Sequence, residues 1–274
     1  MSQSKEYRNK AIGIFDSGIG GLTVASEIFK SLPNEDIIYF GDTGRTPYGP
    51  RSAEIVKKFS RQDVNFLIGK GVKFIVVACN TASAMALDYI GGIYEIPMIG
   101  VITPGATAAA KKTKSKRIGV IGTQGTIASL SYQKALKSID RDFQVFPKPC
   151  PLFVAMAEEG YVDKPATRLI ADDYLGELRK KEIDTLILGC THYPLLKKTI
   201  ADVMGSKVKL IDSAEETARD VKKTLSRLKL LNPSVKPGKK RFHVSDSPGK
   251  FKKIGERFLG RKIGKVELID ITEY

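Results

Sequence analysis

Short apolar runs recur along the whole chain with helical stretches between them. "AIGIF", "DIIYF", "KFIVVA", "MIGVI", "RIGVIG", "FQVF", "DTLILG", "VKLI" and "RFHVS" are mostly separated by segments of helical periodicity such as 51–70, 165–181 and 213–231. Val, Ile and Leu follow one another in these runs with little polar alternation, the pattern of strands buried on both faces. Strands that alternate with helices predict an α/β fold of parallel sheets covered by helices on each side. With 274 residues, 42% of them hydrophobic, the chain can fill one large core or two ordinary ones. The piece "NPSVKPGKK" at 232–240 reads as a loop inside a C-terminal lobe.

Several classes of protein are set aside by what is missing. No apolar run approaches the roughly 18 to 20 residues that span a bilayer, and the polar start "MSQSKEYRNK" lacks the apolar stretch of a signal peptide. A cytoplasmic chain without membrane contact is expected. Cys79, Cys150 and Cys190 are too few for a disulfide framework, and no C-x-x-C spacing supports a structural zinc site. Free thiols and no metal are expected. The net charge of +15 suggests nucleic acid at first sight, but fifteen Lys and Arg fall between Lys222 and Lys265 against only Asp246 and Glu256. A solvated basic face is the simpler reading, since no aromatic interleaving accompanies the lysines.

In parallel α/β folds, ligands bind beyond the carboxyl ends of the strands. The polar turns there are "FDSGIGG" (15–21), "FGDTGRTPYGP" (40–50), "ACNTAS" (78–83), "GTQGT" (122–126) and "GCTHYP" (189–194). Cys79 and Cys190 both fall where a strand gives way to a helix, so backbone N–H groups and the helix dipole favour a thiolate there. Asn80 or Thr81 could cap the first helix, and Pro194 suits the first turn of the second. Two thiols in the same local setting suggest half-sites that face each other across a cleft, as a symmetric two-base reaction requires. Cys150, flanked by prolines in "KPCPLF" with no helix start, reads as structural. Asp16 is either a helix cap or the ionisable partner of a thiol. His192, two residues past Cys190, is either a satisfied surface histidine or a proton carrier that tunes its neighbour towards neutrality. The cluster "GIGGLT" followed by Asp42 invites a dinucleotide reading, but Thr23 stands where the third glycine belongs. In "TPYG", Tyr48 and Gly49 follow a proline that presets the loop, an arrangement equally suited to a routine turn.

Taken together, "GIFDSGIGGLTV", "GDTGRTPYGPRS", "VVACNTASA" and "ILGCTHYPLL", in this order and at these separations, resemble the glutamate racemases. The likeness runs from about residue 11 to the C-terminus and includes "PLFVAMAEEG" and "RFHVSDSPGKF". It implies two similar α/β lobes with the active site in the cleft between them, the first from 11–102 plus 212–274, the second from 103–211, and a polar tail at 1–10. It implies that Cys79 and Cys190 abstract and return an α-proton from opposite faces without any cofactor, with Asp16, His192 and Glu158 beside them. Glu159 is the alternative to Glu158, since that short stretch aligns equally well one residue along. By the same resemblance, Asp16, Ser17, Tyr48, Gly49, Asn80, Thr81, Thr191 and His192 bind the substrate. The implied product is D-glutamate for peptidoglycan, the implied small-molecule partner is glutamate, and the implied assembly is a homodimer. Contact with nucleic acid, or with DNA gyrase as the resemblance suggests for some relatives, is left open. Aspartate racemases and related decarboxylases share the layout but generally lack the histidine of "CTHYP", which favours glutamate. From another class, a basic protein that binds a polyanion or acidic partner would leave the thiols structural.

Overall fold

Strand β1 (Ile12–Asp16) is buried at all five positions, as the centre of a sheet covered on both faces must be. The computed structural model describes residues 5–274, and the start of the polar tail at 1–4 lies outside the described residues. On one side β1 pairs with β2 (Ile37–Gly41), on the other with β3 (Phe74–Val77), which in turn pairs with β4 (Met98–Gly100). A second sheet is built from β5 (Arg117–Gly122), β6 (Gln144–Pro149), β7 (Thr185–Gly189) and β8 (Lys209–Asp212), in the order β6-β5-β7-β8. The chain then returns to the first sheet, adding β9 (Lys240–Val244) against β2 and β10 (Val266–Leu268) at the edge, to give the order β10-β9-β2-β1-β3-β4. Every pairing is parallel, and the result is two α/β lobes.

The side-chain alternation of the strands divides the first lobe into two cores. Ile12, Ile14, Ile37, Tyr39, Phe74 and Val76 face the helices Leu22–Ser31, Ser213–Arg227 and Pro248–Leu259. Phe15, Ile38, Phe40, Ile75 and Val77 face the helix Ala53–Gly69. Each such side chain removed from water contributes about 1.5–3 kcal/mol, so the alternation fixes which face each strand presents. Two helices that flank the site begin on side-chain caps: Ser52 Oγ accepts from Ile55 N at 3.4 Å, and Asp212 Oδ1 from Ala214 N at 3.0 Å.

Three local features carry little signal in the sequence. The short β10, "VEL", has two exposed positions and no apolar run, so nothing in its composition marks it as a strand. Within the polar N-terminal stretch, Lys5–Arg8 forms a helical turn, and Arg8 Nε donates to the Leu231 carbonyl at 3.1 Å. Cys150 does stand before a helix, since β6 ends at Pro149 and the helix Leu152–Glu159 follows. Two prolines hide that boundary in the sequence.

Candidate active site

The ends of β1, β3 and β7 carry the groups that meet between the lobes. A cavity of about 30 Å³ is lined by Ser17, Cys79, Asn80 and Thr81 from the first lobe and by Cys190, Thr191 and His192 from the second. Thr46, Pro47, Tyr48 and Gly49 close one wall, and Thr123 and Val154 another. A wider, largely apolar cavity of about 340 Å³ adjoins it through Thr46, Pro47, Gly49, Thr123 and Val154, and reaches Glu158. The small volume reflects lobes drawn together. Thr23 Oγ1 donates to the Thr191 carbonyl at 3.0 Å, Gly125 N to the Gly49 carbonyl at 2.9 Å, and the Thr81 and Thr123 hydroxyls lie 2.9 Å apart.

Cys79 itself, rather than Asn80 or Thr81, is the N-cap of the helix Asn80–Met85, its Sγ accepting from Ala82 N at 3.5 Å. The same Sγ lies 3.6 Å from Ser17 Oγ. The helix start was expected to favour a thiolate, yet burial, reinforced by the negative charge of Asp16, pushes the Cys79 thiol up to about 12. Desolvation outweighs the few N–H groups that a helix start offers. Asp16 is fully buried and is itself raised by burial, against the opposing pull of His192. Its Oδ2 accepts from Gly18 N at 2.9 Å, whereas its Oδ1 has no partner. Asn80 is similarly divided: its Oδ1 accepts from the Tyr132 hydroxyl at 2.8 Å, and its Nδ2 has no partner. A buried acceptor and a buried donor are thus both left uncompensated at the ends of β1 and β3.

On the second lobe, Cys190 Sγ lies 3.7 Å from His192 Nδ1, and His192 Nε2 lies 2.9 Å from Glu158 Oε1. Burial opposes charge on the imidazole, but its hydrogen bonds to Cys190 and Glu158 prevail and hold His192 up to about 10. Glu158, though penalised by burial, is kept low by its bond to that imidazolium. Glu159, the neighbouring residue, is exposed. The Phe258 ring packs edge-on against His192 at 5.8 Å, and Arg257 on the same helix donates to the carbonyls of Ala157 and Glu158. Part of the basic C-terminal segment is thus engaged in holding the second lobe.

Other expected residues occupy different surroundings. Tyr48 lines the cavity, and its hydroxyl is held by Asp42 and Asp63. Asp42, the candidate ribose acid, is taken up by Arg45, Tyr48 and Ser245. Cys150 is buried in the core of the second lobe, its Sγ 3.7 Å from the Lys148 carbonyl. Among the described residues no group of three or more His, Cys, Asp or Glu could hold a metal ion, and no helix is long and apolar enough to cross a membrane. Thr123 lies in the turn "GTQGT"; Val154 and Arg257 carry no local signal, because each comes from a helix outside the stretches read as helical.

The chain as a whole is similar to known proteins. The model of the Asp/Glu/Hydantoin racemase family matches residues 38–221. A glutamate racemase of Geobacter metallireducens is 53% identical over 262 residues, 96% of this chain and 97% of that one. The crystal structure of a glutamate racemase isoform from Bacillus anthracis superposes with a TM-score of 0.93 at 46% identity, covering 96% of this chain and 98% of the other. That of the Francisella tularensis enzyme, in complex with D-glutamate, gives 0.92 at 42% identity, covering 97% and 100%. An aspartate racemase homologue from Pyrococcus horikoshii gives only 0.57 at 21% identity, a likeness of fold alone.

Proposed function

The chain belongs to the glutamate racemases of the Asp/Glu/Hydantoin racemase family, and from that membership we propose that it interconverts L- and D-glutamate by moving the α-proton between Cys79 and Cys190 without a cofactor. The observation that carries the mechanism is two thiols from different lobes lining one cavity, Cys79 under the charge of Asp16 and Cys190 beside the imidazole of His192. An α-proton is weakly acidic, so the base must be a thiolate held away from water. One thiolate takes the proton, the electron pair passes into the carboxylate system, and the opposite thiol returns a proton to the other face. The protonation states of the two thiols are then exchanged, and no proton or electron is left over.

Cys190, with the imidazolium of His192 beside it, starts as base towards L-glutamate. Cys79, protonated in its dry pocket, starts as acid. Asp16 Oδ1 receives the substrate ammonium and Asn80 Nδ2 an oxygen of the α-carboxylate, with the hydroxyls of Ser17, Thr81 and Thr191 completing the cradle. Tyr48 and Gly49 bound the far end. Such closure demands that the lobes part to admit substrate, and we place the changeover of the chain near residues 102 and 212. The product would supply peptidoglycan synthesis, and hence cell shape, from the cytoplasm. The relatives named for glutamate speak against aspartate as substrate. The test is to incubate the pure protein with L-glutamate in deuterated water: the α-proton signal should disappear without added cofactor. A signal that persists would leave the polyanion-binding reading instead.

The two thiols should also differ in their helpers. Because the enantiomers have equal free energy, no substitution can change the ratio of kcat/KM in the two directions; only the partition between kcat and KM can move. We expect His192→Asn to lower kcat chiefly from D- to L-glutamate, where Cys190 acts as acid, with a compensating fall in KM. Asp16→Asn should show the opposite bias. Equal losses of kcat in both directions for both variants would mean that these residues only shape the pocket.

A further inference from the structure

Behind the loop that walls the cavity lies a second buried cluster, which the two-thiol chemistry does not use. Asp42, Asp63 and Tyr48 are at most 1% exposed. Arg45 bridges the two acids, its Nε donating to Asp42 Oδ2 at 2.7 Å and its Nη2 to Asp63 Oδ1 at 3.0 Å, while its guanidinium covers the Phe59 ring at 4.2 Å. Ser245 Oγ, from the segment after β9, donates to Asp42 Oδ1 at 2.8 Å. The Tyr48 oxygen lies 2.5 Å from Asp42 Oδ2 and 3.0 Å from Asp63 Oδ2.

A phenol has one hydrogen to give. Tyr48 therefore cannot donate to both acids, and two ionised carboxylates would leave one bare oxygen facing the phenol oxygen. They would also leave one guanidinium to balance two negative charges in a dry site. A single extra proton removes both conflicts. Besides the shared Tyr48 hydroxyl, which lies closer to Asp42, Asp42 accepts from Ser245 and Arg45, whereas Asp63 accepts from Arg45 alone. The proton thus belongs on Asp63 Oδ2, donated to the Tyr48 oxygen, which in turn donates to Asp42.

We propose that Asp63 is a protonated, neutral acid under the conditions of catalysis and a positioning residue for the substrate site, locking Tyr48 through the chain Asp63 to Tyr48 to Asp42 and so fixing Tyr48 and Gly49 in the cavity wall. The ionisable groups that face it are Asp42, Arg45 and Tyr48, with Asp16 acting from farther off. Burial, aided by the charge of Asp42 and opposed by Arg45, pushes the Asp63 carboxyl well above the usual carboxylate range. The kinetic half of the proposal rests on the racemase reading of the cavity; the protonation half does not.

Two readouts test it. Infrared spectroscopy of the whole protein at neutral pH should show the carbonyl band of a protonated carboxyl that Asp63→Asn removes. In kinetics, Asp63→Asn, the isostere of a neutral acid, should keep KM for both enantiomers within roughly threefold, whereas Asp63→Ala, which cannot hold Tyr48, should raise KM about tenfold or more with a smaller loss of kcat. No band lost in Asp63→Asn, or a KM for Asp63→Asn as high as for Asp63→Ala, would overturn the neutral acid. An unchanged KM in both variants would overturn the positioning role. A wild-type protein that shows the band but does not racemise glutamate would sink the functional reading and leave the protonation standing.

Discussion

Cys79→Ser and Cys190→Ser should each lose roughly 10³-fold or more in kcat, in both directions, while Cys150→Ser stays within about threefold of the parent enzyme. A serine hydroxyl is a far weaker acid than a thiol and cannot serve as a poised base in a site without water. Racemisation needs an acid and a base on opposite faces, so losing either one stops both directions. Cys150 is the internal control. It is as buried as the other two, but it faces the second core, and a serine there can still donate to the Lys148 carbonyl. The measurement is racemisation followed by circular dichroism from each enantiomer, with thermal unfolding of the same samples. If Cys150→Ser were as inactive as the other variants at an unchanged Tm, the pairing of Cys79 with Cys190 would be wrong.

Gly20→Ala should cost about 100-fold in kcat/KM with little change in Tm. A Cβ at residue 20 would stand 2.5 Å from His192 Nδ1 and Cε1 and closer still to Thr191 Oγ1. The threonine can rotate, but the imidazole is pinned between Cys190 and Glu158. The lobes must therefore back away by a fraction of an ångström, or His192 must leave its place. Either moves Cys190 relative to Cys79, and neither disturbs the core of a lobe. Gly176→Ala, where the nearest atom to a new Cβ is Arg179 Nη2 at 3.8 Å, should leave activity unchanged. Activity of Gly20→Ala within threefold of the parent would show that the lobes need not meet this closely for catalysis.

Both variants probe contacts that a reader of the sequence could only half anticipate. Strands such as "KFIVVA" and "DTLILG" declare themselves because burial on both faces demands an unbroken apolar run, and the turn that ends each one inherits a place at the site. The turns that bring Cys79, Cys190 and His192 to one cavity are legible for that reason. What was not legible depends on distance along the chain. Nothing in "TPYG" announces that the Tyr48 hydroxyl meets Asp42 and Asp63, because Asp63 comes from a separate helix and Ser245 joins Asp42 from beyond β9. The lowered thiol expected of Cys79 fails because its depth, and the carboxylate of Asp16 beside it, are set by three strands packed side by side. Arg257 and Val154 look like ordinary helix residues, since a periodic pattern records which face is buried and not what lies opposite.

The sheet order also has a temporal meaning. As the chain leaves the ribosome, β5 to β8 emerge as one uninterrupted stretch and can close their sheet at once, but β2 must wait about two hundred residues for β9 to cover its open edge. Until residues 240–245 are made, the lobe that carries Cys79 has β2 paired on one side only and no Ser245 to satisfy Asp42. A nascent chain stalled before residue 240 would therefore hold a finished second lobe beside an unfinished first one, the half most exposed to aggregation and most in need of a chaperone.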